Sequence, residues 1–156
     1  MTPYSDVANQ VIEIVSSYSG DQEKWVAFDV DETLLTGAHL QGRAFFQAQA
    51  MGRLHPIPTM IDLYNQLSRM GIKIAVITAR HPGLMAVTER NIIEAGARGR
   101  ATLYMKPRKM DKEEFRTKVR AQIYADGGII LANIGDQETD LNGGYAEHTF
   151  LLPSTY

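Results

Sequence analysis

Trp25-Val26-Ala27-Phe28-Asp29-Val30-Asp31-Glu32-Thr33-Leu34-Leu35 is the stretch on which the fold and its chemistry turn. Trp25 to Phe28 form an apolar run of strand length. The run closes on two carboxylates, Asp29 and Asp31, with one residue between them. Along an extended chain, residues two apart point to the same side. Two acids at the end of a buried strand repel unless a cation lies between them. A fold keeps such a pair to bind a metal or to do acid–base chemistry.

Outward from this strand, the chain alternates helix and strand. Residues 3–18 read as a helix with Val7, Val11, Ile14, Val15 and Tyr18 on one stripe, stopped by Gly20. Residues 36–56 are less regular; Leu40, Ala44, Phe45 and Phe46 suggest a short helix, broken by His55-Pro56-Ile57-Pro58. Further helices are expected over 58–70, from His81 to Gly96, and over 111–125, with strands over 72–77, 101–105, 129–134 and 148–152. Near-continuous apolar strands alternating with helices imply a parallel sheet covered on both faces, a doubly wound α/β fold of three layers. Functional groups in such sheets gather beyond the carboxyl ends of the strands. The polar groups fall there: Asp29 and Asp31, then Thr78 and Arg80, then Lys106, then Asp136 and Asp140.

A length of 156 residues suggests one domain over 1–156. The net charge of -2 exerts no general pull toward nucleic acid or anionic membrane. The absence of cysteine excludes a disulfide, a thiolate metal site and a thiol nucleophile, and fits a reducing compartment. The N-terminus carries no secretory pattern, and no apolar run exceeds four residues, so no membrane span is expected and the cytoplasm is the expected location.

Acids at 29, 31 and 136 offer three oxygens to a hard cation. Mg²⁺ fits, with its few protein ligands and its liking for a phosphate in its shell. The Thr78 hydroxyl and the cations Lys106, Arg116 and Arg80 suit the equatorial oxygens of a phosphoryl group. One aspartate would then be the nucleophile and the other would move the proton. Blander roles stand beside these. Asp140 also reads as a helix N-cap, and Arg80 as a structural partner for an acid. The run 106–120, with seven basic and three acidic residues, reads first as a solvated helix face. Its scarcity of aromatic residues weakens a nucleic-acid reading. Phe45, Phe46 and Met51 read as packing of the insert. His39, His55, His81 and His148 lack metal-ligand spacing and read as surface or loop residues.

DVDETLL, ITAR and NIGDQETDL, in that order, resemble the signature motifs of the haloacid dehalogenase (HAD)-like phosphatase superfamily. Within it the chain most resembles the acid phosphatase branch called subfamily IIIB. Glu32 stands where many members have Gly, and Thr149-Phe150-Leu151-Leu152-Pro153 resembles the branch's terminal F-K-L-P. The resemblance spans about residues 24–153. It implies a HAD-like Rossmannoid domain with a small cap insert at about 36–56. It also implies an Mg²⁺-dependent phosphatase that hydrolyses small phosphomonoesters through an aspartyl-phosphate.

By the same resemblance Asp29 is the nucleophile. Asp31 is the general acid/base and also a metal ligand through its main-chain carbonyl. Thr78, with Ala79 and Arg80, meets the phosphoryl group. Asp136 is the second side-chain metal ligand, supported by Asp140. The usual motif lysine is missing from its place. Counting back about twenty residues from Asp136 gives Arg116, which would act in a fork geometry. Lys106, in Met105-Lys106-Pro107, competes for the role, and Lys112 is a third option. Two alternatives accompany the main reading. One is a polynucleotide 3′-phosphatase acting on nucleic-acid ends. The other is a non-enzymatic storage or binding protein on the same fold. The sequence leaves the oligomeric state open.

Overall fold

The computed structural model describes residues 2–153; the outermost ends of the expected 1–156 unit lie outside the described residues. Helix α1 (Pro3–Ser17) starts where Thr2 Oγ1 accepts the Ser5 N–H and Pro3 supplies a φ suited to the first turn. Strand β1 (Glu23–Phe28) follows, then short β2 (Leu35–Thr36), α2 (Gly42–Met51) and short β3 (His55–Pro56). Next come α3 (Pro58–Arg69), β4 (Lys73–Thr78), a 3-10 turn at Pro82–Leu84, and α4 (Met85–Glu94). The chain continues through β5 (Thr102–Met105), α5 (Lys112–Ala125), β6 (Gly128–Gly135), α6 (Glu138–Leu141) and β7 (Thr149–Leu151).

Five strands form one parallel sheet in the order β5-β4-β1-β6-β7. The period-two alternation of β1 sorts its side chains between two cores. Val26 and Phe28 pack with Val11 and Val15 of α1 and with Met60 and Leu67 of α3. Ala27 faces the other way, with Ile77, Phe115, Val119 and Ile123. Burial of a side chain such as Phe28 contributes about 1.5–3 kcal/mol. Helices therefore cover both faces, the three-layer α/β arrangement expected from the sequence. Ala27 stands in register beside Ala75, so the sheet presents short side chains to α5. From β1, the sheet extends through β4 and β5 on one side and through β6 and β7 on the other. That reversal opens a crevice at the carboxyl end of β1, where ligands of such sheets bind.

The insert is more ordered than its sequence suggests. Its two ends pair antiparallel, Leu35 with Pro56 and Thr36 with His55, so residues 36–56 form a closed excursion carrying α2. The helix takes in Ala44, Phe45 and Phe46 as expected, begins after Leu40 and runs on to Met51. It ends at Gly52, whose φ of +69° and close approach to Val87 exclude a side chain. Among the described residues no helix is long and apolar enough to cross a membrane.

Candidate active site

The β1 ladder runs one residue past its strand, because the Asp29 N–H donates to Ile134 O at 3.1 Å. That bond fixes Asp29 at the sheet edge, 7% exposed. The chain then turns sharply through Glu32, which is buried at φ +59°. A side chain there is normally costly. The Glu32 carboxylate accepts from Thr36 Oγ1 at 2.8 Å and from Gly37 N at 2.9 Å, which ties the turn to the base of the insert.

Beyond β6, the turn at Asp136 and the helix α6, which carries Asp140, bring two more acids to Asp29. Carboxylate oxygens of Asp29, Asp136 and Asp140 all lie within 4.8 Å of one another. The N-cap role considered for Asp140 falls instead to Gln137. Asp140 closes a capping box from inside the helix, its Oδ2 accepting the Asp136 N–H at 3.1 Å and the Gln137 N–H at 3.0 Å. Gly135 makes room for it, since a Cβ there would lie 2.5 Å from Asp140 Cβ.

Arg116 reaches this cluster from α5. Its Nη2 lies 3.3 Å from Asp29 Oδ1 and 2.9 Å from Asp140 Oδ1, and the residue is 4% exposed. Two of the three clustered carboxylates, Asp29 and Asp140, thus face one guanidinium. Burial, then Asp140, push the Asp29 carboxyl well above its ordinary range, against a lowering pull from Arg116. Burial, then Asp140, raise Asp136 to about 7. Asp140 Oδ1 is buried with no hydrogen-bond partner, close to Arg116 but not aligned with it. A hard divalent cation fits this set: the donors are all oxygens, one is orphaned, and the charge is uncompensated.

Asp31 stands apart from the other acids. The third carboxylate of the cluster is Asp140, not Asp31 as the spacing of the first two acids suggests. The reason is Arg80, whose Nε and Nη2 grip Asp31 Oδ2 and Oδ1 at 3.0 and 2.7 Å. Arg80 Nη1 donates to Thr88 Oγ1 at 2.9 Å. Its buried guanidinium is thereby occupied, so it holds an acid instead of facing the phosphoryl group. Gln49, on α2, adds a third donor to Asp31, Nε2 to Oδ2 at 3.2 Å. Nothing in the sequence singles Gln49 out.

Thr78 is buried at the end of β4, with Ala79 beside it. Its Oγ1 accepts the Arg80 N–H at 3.2 Å. Lys106 adjoins the same edge by its backbone, but its Nζ donates to Pro107 O and does not turn to Asp29. Lys112 lines the cleft. This cleft, about 340 Å³, is floored by Asp29, Asp31, Thr78, Asp136 and Arg116 and flanked by Phe45 and Phe46. Phe45 packs partly on the core, whereas Phe46 is 64% exposed and stands edge-on to it. Phe46 and Met51 stand largely exposed, so of the three it is Phe45 that packs on the core.

The solvated face expected over 106–120 also needs correction, since Arg116 and Arg120 are both buried. Arg120 donates to the carbonyls of Asp140, Asn142 and Gly144 and so clamps the loop behind the acid cluster. His39 and His55 stack edge-on, and His81 Nδ1 accepts the Gly83 N–H; neither contact involves the acids. A larger open groove, about 700 Å³, lies between α1 and the edge of β6 and β7. It holds none of the residues that converge on Asp29, so the chemistry belongs to the smaller cleft.

Known proteins share this fold. The family described as HAD superfamily, subfamily IIIB (Acid phosphatase) matches residues 2–156. Vegetative storage protein 1 of Arabidopsis thaliana is 29% identical over 144 residues, covering 83% of this chain and 53% of that protein. Acid phosphatase 1 of Solanum lycopersicum is 26% identical over 165 residues, covering 96% of this chain and 64% of that protein. The chain spans about half to two thirds of the length of these two curated relatives. The class C acid phosphatase from Bacillus anthracis superposes with a TM-score of 0.76 at 18% identity, over 90% of this chain and 64% of that one, which shows the shared fold. The chain belongs to the HAD superfamily, subfamily IIIB.

Proposed function

We propose that this chain, as a member of that subfamily, hydrolyses phosphomonoesters with the help of Mg²⁺ and through an aspartyl-phosphate on Asp29. The observation that carries the reading is the setting of Asp29: a buried carboxylate at the crevice, gathered with Asp136 and Asp140 and touched by Arg116. Asp29, Asp136 and Asp140 would hold the metal. When bound, Mg²⁺ supplies positive charge against the phosphoryl oxygens and orients the ester.

The chain's own residues do the rest. An oxygen of Asp29 attacks phosphorus and forms the new P–O bond as the ester bond breaks. Asp31 gives its proton to the departing oxygen, then takes one from the water that attacks the aspartyl-phosphate. Arg116 sets its positive charge beside the nucleophile. Thr78 and the Ala79 backbone line the place where the phosphoryl oxygens sit.

A second reading, storage or binding without turnover, draws on the storage-protein relative. Against it stands the energetic burden of crowding three acids at the crevice, which a storage role does not require. Nucleic-acid ends are a narrower substrate alternative, and burial of Arg116 and Arg120 leaves a smaller basic face for them. The test is phosphate release from an aryl phosphate, with Mg²⁺ and with chelator, by wild type and Asp29→Asn. Activity that requires both metal and Asp29 supports the enzyme. A well-folded wild type inactive on aryl and nucleic-acid phosphates alike would favour storage.

A further inference from the structure

Arg120 is wholly buried, at 0% exposure, and its guanidinium serves the main chain. Nε donates to Gly144 O at 2.9 Å, Nη1 to Asp140 O at 3.0 Å and Nη2 to Asn142 O, with Thr117 Oγ1 at 3.5 Å beside it. A cation taken out of water is costly unless its donors are filled. Here one segment fills them, the end of α6 and the turn after it.

That segment has little to hold it in shape by itself. Helix α6 is four residues long, too short to persist alone, and its last carbonyls have no partner within the helix. Gly143, Gly144 and Tyr145 follow with φ of +104°, +80° and +64°. A tyrosine in that region is costly and stays there only where its surroundings fix it. Asp140 sits on this short helix. Its main-chain O accepts from Arg120 Nη1 and also from Asn133 Nδ2, at 3.2 Å, while its Oδ2 accepts the Asp136 and Gln137 N–H groups. Backbone and one carboxylate oxygen are thereby fixed. Oδ1, buried without a hydrogen-bond partner, is the atom left to face the acid cluster.

We infer that Arg120 is a positioning residue for the metal site: its grip on the carbonyls of Asp140, Asn142 and Gly144 fixes α6 with Asp140 Oδ1 aimed at the cluster, and so sets the affinity for Mg²⁺. This rests on the metal assignment within the phosphatase reading. Arg120 does not line the cleft and acts from behind the acids. Partners that hold a metal ligand in place typically change metal affinity by about 10–100-fold. Without Arg120, three carbonyls lose their donors, the left-handed turn loses its anchor, and Oδ1 loses its fixed position.

Calorimetric titration of Mg²⁺ into metal-free protein, with no ester present, reads this affinity apart from turnover. Arg120→Met, which keeps the bulk and removes every donor, should raise the Kd for Mg²⁺ by about a hundredfold. Arg120→Lys keeps a charge and loses the fork, so its Kd should rise less, by about tenfold. Should Arg120→Met fail to fold, by circular dichroism, Arg120→Lys carries the test. Leu67→Ala separates positioning from stability. Leu67 is buried in the core on the opposite face of the sheet, so its loss should lower Tm and leave the Kd within about twofold of wild type. A Kd within about twofold of wild type in the folded Arg120 variants would overturn the assignment. So would an equal rise in Leu67→Ala. A wild type that binds no Mg²⁺ would overturn this inference and the metal assignment together. A wild type that binds the ion but releases no phosphate from any ester would overturn the phosphatase reading and not this inference.

Discussion

Arg116→Ala removes the guanidinium that lies against two buried carboxylates. The contacts are 3.3 Å to Asp29 Oδ1 and 2.9 Å to Asp140 Oδ1, at 4% exposure. Deleting one partner of a buried ion pair costs about 3–5 kcal/mol. Two features place this case near the lower end. Arg116 Nε and Nη1 have no hydrogen-bond partner, so the arginine already carries a desolvation cost. Asp29, already pushed upward, can also shed repulsion by holding a proton. A loss of about 3 kcal/mol lowers Tm by roughly 6–12 °C in a chain of this size. Thermal denaturation followed by circular dichroism, with chelator present, measures it. The loss should be larger near pH 8 than near pH 5, because ionised carboxylates need the cation and protonated ones do not. Arg116→Lys should recover part of the stability, as a point charge in place of a fork. The reasoning fails if Arg116→Ala shifts Tm by less than about 2 °C near pH 8, or if the loss is greater in acid.

Other consequences are equally direct. Asp136, raised to about 7, and Asp29, also raised, keep protons in the folded state that the unfolded chain gives up from about 3.8. Their burden is absent below that pH and grows as pH rises toward 7, so metal-free protein should lose Tm across this window and Mg²⁺ should restore it. A flat melting profile with chelator would contradict the crowding. Asp136→Asn should raise the Mg²⁺ concentration for half-maximal activity by about tenfold or more while stabilising the metal-free protein near pH 8. An unchanged metal requirement would count against the ligand role. Lys106→Ala should stay within about threefold of wild-type kcat/KM, against a loss of about 10²–10³ for Arg116→Ala, since only Arg116 adjoins Asp29. The reverse order in steady-state kinetics would return the role to Lys106.

Sequence reading reached the sheet and its functional edge because the signals there are local. A run such as Ile74-Ala75-Val76-Ile77 can hardly be other than a buried strand, and the polar residue after it must lie at the strand's end. The short pairing of Leu35–Thr36 with His55–Pro56 had no such signal, being two residues long and set by closure of the insert. The fate of the arginines was partly legible. Arg116 and Arg120 flank Phe115, Val119 and Ile123 on the inward stripe of α5, so they could not belong to a fully solvated face. The charge count over 106–120 hid that spacing. The capping box was likewise present in Gln137-Glu138-Thr139-Asp140 as a variant of its usual pattern. Gln49 and the capture of Asp31 by Arg80 depend on contacts across 18 and 49 residues of sequence, which no local pattern encodes.

The covalent intermediate on Asp29 is the centre of the account, and rapid acid quenching of a reaction with ³²P-labelled phosphomonoester tests it most directly. The expected result is label on the peptide that holds Asp29, released by hydroxylamine, dependent on Mg²⁺ and missing in Asp29→Asn. Steady turnover with no label on that peptide, or turnover that survives Asp29→Asn, would contradict it.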